Sequence, residues 1–248
     1  MQHSFADPVA AYDAVAPGYE ALARRRQAYL TAIERLVIGC VPAGSRTYLD
    51  AGAGTGERSL RIARAAGLRS VVLLEPSSAM LGHRPQGCAV WPLRAEQLGT
   101  ADGQFDVITC LWNVLGHVFP RAARVEVLRQ FARLSAPRGA VFVDVNHRYN
   151  VRHYGLLPTA LRALKDRIRP NESNGDVVAA WRFAGVRYRT KGHVFTEREV
   201  RELAAEAGLE VVRRWAVDYR TGEVRRSAFE GHLLFLLHRF VTSQVVKS

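Results

Sequence analysis

The chain has 248 residues, 48% hydrophobic and 23% charged, which suits one α/β domain with a modest insertion and excludes a disordered chain. Its net charge of +12 comes from 35 basic and 23 acidic residues; only Lys165, Lys191 and Lys247 are lysines, so 32 of the basic residues are arginines. No apolar run reaches the ~18 residues of a membrane span, residues 1–7 lack the regions of a signal peptide, and Cys40, Cys88 and Cys110 have neither zinc spacing nor a disulfide framework.

Residues 9–41 read as helical, with Leu22, Leu30, Ile33, Leu36 and Val37 at three- and four-residue spacing, and Pro42, Gly44 and Ser45 end the stretch. A regular alternation follows: strands over 46–51, 70–75, 88–93, 105–112 and 140–146, with helices over 57–66, from 77 and over 121–134. Such alternation predicts parallel strands joined by right-handed crossovers. The rhythm breaks over 147–195, which hold a basic helix-like stretch (159–168), a polar loop (170–175) and two strand-like pieces (177–183 and 186–190). It resumes with a helix over 197–207 and strands over 209–217 and 231–240, the last antiparallel after a hairpin-like turn at Thr221 and Gly222. The expected fold is a doubly wound, seven-stranded, mostly parallel sheet. Residues 1–44 would form a helical lid, 45–146 with 196–248 the Rossmann-like body, and 147–195 a cap over the carboxyl ends of the strands, where such sheets bind ligands.

The strongest local signal is Asp50-Ala51-Gly52-Ala53-Gly54-Thr55-Gly56, between a strand and a helix. Glycines there let a ligand approach the backbone. The third glycine falls one residue too early for a dinucleotide fingerprint, and the Gly-Lys-Ser/Thr of a phosphate loop is missing. Glu75, 25 residues beyond Asp50 at the end of the second strand, can accept hydrogen bonds from ribose hydroxyls.

The Asp-x-Gly-x-Gly-x-Gly run closely resembles the first motif of class I methyltransferases that use S-adenosylmethionine. The resemblance implies that Asp50, Gly52, Ala53, Gly54 and Gly56 hold the methionine end of the cofactor and Glu75 its ribose. Pro76 and Met80 would flank the adenine, with Ala95, Glu96, Leu111 and Trp112 completing the site. Arg94 stands where many members of the family have an acid. Tyr12, Asp13, Ala16 and Tyr19 are similar to the Tyr-Asp-x-x-Ala-x-x-Tyr lid of related enzymes, which puts Tyr19 on the cofactor and Tyr12 on the substrate.

Two further segments resemble the glycine N-methyltransferase group of small-molecule enzymes: Cys110-Leu111-Trp112-Asn113 with His117, and Asp144-Val145-Asn146-His147-Arg148-Tyr149-Asn150. Gly192-His193-Val194-Phe195-Thr196 matches more weakly. The resemblance implies that Asn113, Asn146, Arg148, Tyr149 and His193 contact substrate, with Arg148 clamping a carboxylate or phosphate. Asn113 would also orient the nucleophile, with His117, then His147, as candidate bases. No metal is expected, since 111–113 offer no carboxylate.

The function expected is methylation of a nitrogen on a small anionic molecule in the cytoplasm, with no membrane or nucleic-acid partner and with homo-oligomers left open. The competing readings are O-methylation with His117 as base, RNA methylation suggested by the arginine excess, and a non-catalytic cofactor-binding protein.

Overall fold

The computed structural model describes residues 7–183 and 186–240. The first six residues of the expected lid and the last eight of the expected body, Lys247 among them, lie outside the described residues. In place of one long N-terminal helix there are three, α1 (Pro8–Val15), α2 (Tyr19–Arg24) and α3 (Gln27–Ile38). Pro17 and Gly18 interrupt the first pair with a turn of 3₁₀ helix, as expected where proline removes a backbone donor.

The alternating region follows as β1 (Thr47–Ala51), α4 (Glu57–Ala66), β2 (Ser70–Leu74), α5 (Ser78–Gly82), β3 (Ala89–Trp91), β4 (Phe105–Cys110), α6 (Arg121–Leu134) and β5 (Ser135–Val145). β5 starts five residues earlier than its apolar run, because Ser135 pairs with Phe105 before the register shifts. Next come α7 (Val151–Tyr154), α8 (Leu156–Ile168), β6 (Asp176–Phe183), β7 (Val186–His193), α9 (Glu197–Glu206), β8 (Leu209–Val217), β9 (Val224–Arg225) and β10 (His232–Arg239).

The main sheet has eight strands, in the order β3-β2-β1-β4-β5-β10-β8-β9, one more than expected. The extra strand is β9. Its two residues pair with Ala216 and Val217 of β8, so the turn at Thr221 and Gly222 leads into β9 and not directly into the last strand. Two residues are too few to leave a period-2 signature. β10 is antiparallel to both β5 and β8, while β6 and β7 form a separate hairpin.

Both faces of the sheet are covered. Alternate residues of β1 and β5 point to opposite sides: Leu49, Val141 and Val143 pack with Leu128 and Phe131 of α6, whereas Tyr48, Ala140 and Phe142 pack with Ile33 of α3 and Ile62 of α4. The carboxyl ends of β1, β2 and β4 consequently open along one edge, beneath α1 and α2. No described helix is long and apolar enough to cross a membrane.

Candidate cofactor site

β1 passes through Asp50 and Ala51 into a turn in which Gly52, Gly54 and Gly56 have φ of +73°, +59° and +78°. The Gly52 and Ala53 N–H groups donate to the Leu74 carbonyl at 2.8 and 3.2 Å, fastening the turn to the end of β2. A side chain on Gly52 would start 2.4 Å from Val114 Cγ2, so glycine is required there by both backbone conformation and space.

Glu75 stands just past β2. Its Oε2 accepts from the Gly54 N–H and its Oε1 from the Ser77 N–H, each at 2.8 Å. Burial raises its pKa above the ordinary carboxylate value, and the two N–H bonds oppose that rise. Each oxygen retains a lone pair for a further donor.

These elements wall a cleft with ≈ 810 Å³ of space between protein atoms, part of it open to solvent. Tyr12, Tyr19, Gly52, Gly54, Glu75, Pro76, Met80, Ala95, Glu96, Leu111, Trp112 and His117 all line it. Asp50, Ala53 and Gly56 do not. Asp50 is fully buried and accepts from Ser59 Oγ and Thr109 Oγ1, both at 2.6 Å; it braces the turn from below. Ala53 acts through its backbone, and Gly56 is the left-handed residue from which α4 begins.

Arg58 also lines the cleft, and sequence reasoning missed it. One guanidinium nitrogen lies 3.6 Å from Asp50, while its buried Nε has no hydrogen-bond partner among the described residues. Burial disfavours its charge, and Asp50, Tyr19, Tyr48 and Asp144 together more than compensate, leaving its pKa above the usual value. The signal was available, since the second residue of a helix entered from a glycine turn stands beside the ligand space. Arg94, in the loop after β3, lines the same cleft and pairs with Asp7 ahead of α1.

The far wall follows β4. Trp112 and Asn113 have φ of +63° and +61°, an uncommon conformation for residues other than glycine. Asp144 on β5 holds both, its carboxylate accepting from the Trp112 N–H at 2.9 Å and its carbonyl from the Asn113 N–H at 3.1 Å. The other carboxylate oxygen accepts from Tyr29 Oη at 2.6 Å. Burial pushes the Asp144 pKa up to about 6.

His117 faces this wall from a 3₁₀ turn. Its Nδ1 is 3.3 Å from the Lys191 carbonyl, and its Nε2 is 3.5 Å from Tyr12 Oη. A carbonyl only accepts, so the proton sits on Nδ1 and the Nε2 lone pair, which accepts from Tyr12 Oη, is the basic site of the ring. Burial lowers the His117 pKa, which keeps the ring neutral at pH 7.

The remaining residues expected on substrate lie elsewhere. Asn113 spends its side chain tying loops, accepting from the Asn146 N–H at 2.9 Å and donating to the His193 carbonyl at 3.3 Å. Asn146 contributes backbone groups to the same junction, accepting from the Phe195 N–H at 2.8 Å. His147 is buried, with Nδ1 at 2.9 Å from the Ala228 carbonyl, and burial lowers its pKa to about 4.

Arg148 is not brought to the cleft. Its guanidinium is buried against Asp166 at 3.1 Å and Glu199 at 2.8 Å, and its Nε donates to the Val194 carbonyl. Tyr149 donates to the same Asp166. His193 lies fully buried with Asp176 and Glu199 each 2.7 Å from a ring nitrogen. Sequence could not reveal these carboxylate partners, which come from three separate elements.

The cleft fits S-adenosylmethionine on its donor set: an acid and a glycine cradle at the ends of adjacent strands, aromatic rings above, and an arginine Nε in need of an acceptor. Such a fold and site define a class I, S-adenosylmethionine-dependent methyltransferase. Over residues 21–214 the chain matches the family described as a methyltransferase domain, and it belongs to that family; the match does not single out the glycine N-methyltransferase group. None of the curated proteins compared matches the chain.

Among solved structures it is similar to the CcbJ methyltransferase of Streptomyces caelestis, with 17% identity, a TM-score of 0.60 and coverage of 84% of this chain and 89% of that one. The sugar N-methyltransferase KedS8 of Streptoalloteichus has the same identity and TM-score over 89% and 92% of the two chains. S-adenosylmethionine-bound CalS10 of Micromonospora echinaspora, an amino pentose methyltransferase, is 18% identical with a TM-score of 0.57, over 89% and 96%. The enzyme therefore uses S-adenosylmethionine, on the fold that these structures share.

Proposed function

We propose that the protein methylates an amine nitrogen on a small molecule bound between Tyr12, Trp112 and His117. The observation that carries this reading is His117, which lines the cleft with its unprotonated Nε2 beside Tyr12 Oη and its ring held neutral by burial. Glu75 takes the ribose hydroxyls, Pro76 and Met80 flank the adenine with Ala95 and Glu96 beside it, and Arg58 receives the cofactor carboxylate. We also read residues 1–44 as the lid and 147–195 as the cap of this site, since Tyr12 and Tyr19 line the cleft and the Lys191 carbonyl orients His117.

The cofactor supplies an electrophilic methyl group on a sulfonium, with a neutral thioether as leaving group. The protein aligns the acceptor lone pair with that methyl group in a site walled by Leu111, Trp112 and Val118, an effect worth up to ~7–11 kcal/mol where alignment is good. The rings of Tyr12, Tyr19 and Trp112 favour positive charge near the transferring group by ~0.5–2 kcal/mol. Once the methyl group is on nitrogen, His117 Nε2 would take the proton that the methylated ammonium releases.

The nitrogen acceptor needs no anionic group, because Arg148 is already bound to Asp166 and Glu199. For the same reason, and because Asn113 is spent on Asn146 and His193, the narrower likeness to the glycine N-methyltransferase group is not carried forward. The sugar N-methyltransferase and the amino pentose methyltransferase among the similar structures are in keeping with an amine acceptor.

O-methylation is the second reading, favoured by the same His117. The two separate on His117→Gln, assayed by mass spectrometry against panels of small amines and alcohols. An amine can lose its proton after transfer, so kcat on the best amine should fall less than ~10-fold, whereas a hydroxyl that needs a base should lose ~10²–10⁴. Methylation of alcohols alone, with the larger loss, would replace the amine reading.

A further inference from the structure

α8 is an amphipathic helix mounted the wrong way round for a core helix. Leu157, Leu161, Leu164 and Ile168 follow one another at spacings of four, three and four residues, which places them in one stripe along the helix. That stripe faces outward, and the four residues are between 52% and 70% exposed. The side turned to the body is polar instead. Asp166 binds Arg148 and Tyr149, the Arg162 guanidinium lies 4.3 Å over the Tyr154 ring, and the buried Thr159 donates to the Gly155 carbonyl at 2.7 Å.

A surface helix normally does the reverse, burying its apolar stripe and wetting its polar one. The exposed stripe must therefore be matched by something outside the described residues. The charges beside it select the partner. Lys165 and Arg167 flank the stripe on opposite sides, Arg169 follows, and neither flanking cation makes an ion pair among the described residues. The one acid of the helix, Asp166, is turned inward. A second copy of this chain docked on the stripe would set these cations against their own kind. A nucleic-acid backbone would satisfy the cations and leave the leucines exposed to water.

We propose that α8 is an interfacial anchor that lies in the headgroup region of an anionic lipid bilayer, with the Leu157–Ile168 stripe entering the acyl boundary and Lys165, Arg167 and Arg169 meeting lipid phosphates. Apolar burial and attraction to anionic lipids act together in such helices, and the chain's net charge of +12 reinforces the second. Anchoring of this kind needs no spanning segment and does not depend on which atom is methylated.

The test is sedimentation of the full chain with vesicles of phosphatidylcholine, alone or mixed with phosphatidylglycerol, at low and physiological salt. Three proteins are compared: wild type, L161Q/L164Q and K165E/R167E. Leu161 and Leu164 are exposed and glutamine is a good helix former, so the Tm and S-adenosylhomocysteine affinity of L161Q/L164Q, measured on the same samples, should equal those of wild type. Wild type should bind the phosphatidylglycerol vesicles at least ~10-fold more tightly than the neutral ones, and each double variant should lose at least ~10-fold. Binding that K165E/R167E weakens and L161Q/L164Q leaves intact would overturn the proposal in favour of general attraction by a basic surface. Absence of vesicle binding would overturn it as well, and a dimer in analytical ultracentrifugation that L161Q/L164Q dissociates would then assign the stripe to a second copy.

Discussion

At the carboxyl ends of β1 and β2, the glycine turn and Glu75 present free backbone space and free lone pairs to a cleft. Two strands beyond β1, the exit of β5 is equally rich in charged residues and equally close to the edge where such sheets bind ligands. There, however, Arg148, His193, Asp166, Asp176 and Glu199 satisfy one another. The first region is polar and incomplete, the second polar and complete. A charged side chain at a strand end is available to a ligand only where the fold has not already supplied its partner, and that is decided by residues distant in sequence.

The largest effect should come from Arg148→Ala. It leaves Asp166 and Glu199 without their shared cation, and breaking a buried pair from one side should cost ~3 kcal/mol of stability, read by chemical denaturation. Cofactor affinity should stay within about twofold of wild type. A variant of unchanged stability with a raised KM for the acceptor would return Arg148 to the substrate and erase the contrast between the two regions.

Arg58→Lys sharpens the other side of the comparison. It keeps the charge beside Asp50 and removes the buried Nε donor that has no partner among the described residues. S-adenosylhomocysteine should bind ~10-fold more weakly, the worth of one charge-assisted hydrogen bond. An analogue lacking the amino-acid carboxylate should bind wild type and variant alike; equal weakening of both would remove the carboxylate role.

The smallest effect concerns pH. Burial holds the His117 pKa below its ordinary 6.5, so Nε2 stays unprotonated through neutrality. The contribution of His117 to kcat should be full above that value and be lost only as pH falls below it, because protonation consumes the base. His117→Gln should lose this acidic limb along with a few-fold of its rate. An acidic limb unchanged in the variant would assign the titration to another group.

How much could be read beforehand follows from the same contrast. The parallel strands, the antiparallel β10, the glycine turn and Glu75 were legible because local rules fix them, namely apolar runs of strand length, glycines where φ is positive, and an acid at a strand end. β9 escaped because two residues carry no period. The N-terminal helical stretch was legible as helix, but the break at Pro17 and Gly18 divides it and brings both Tyr12 and Tyr19 to the cleft. Arg58 could have been found from its place in the first turn of α4. The roles of Arg148 and His193 could not, since their partners stand between 6 and 51 positions away along the chain.

The central claim, a cofactor site centred on Glu75, is tested most directly by calorimetric titration of S-adenosylmethionine and S-adenosylhomocysteine into wild type and Glu75→Ala. Micromolar binding to wild type, weakened ~10-fold or more in the variant, is the predicted result, since the variant loses charge-assisted bonds to the ribose. Failure of both ligands to bind folded wild-type protein, or equal affinity in the two proteins, would contradict it.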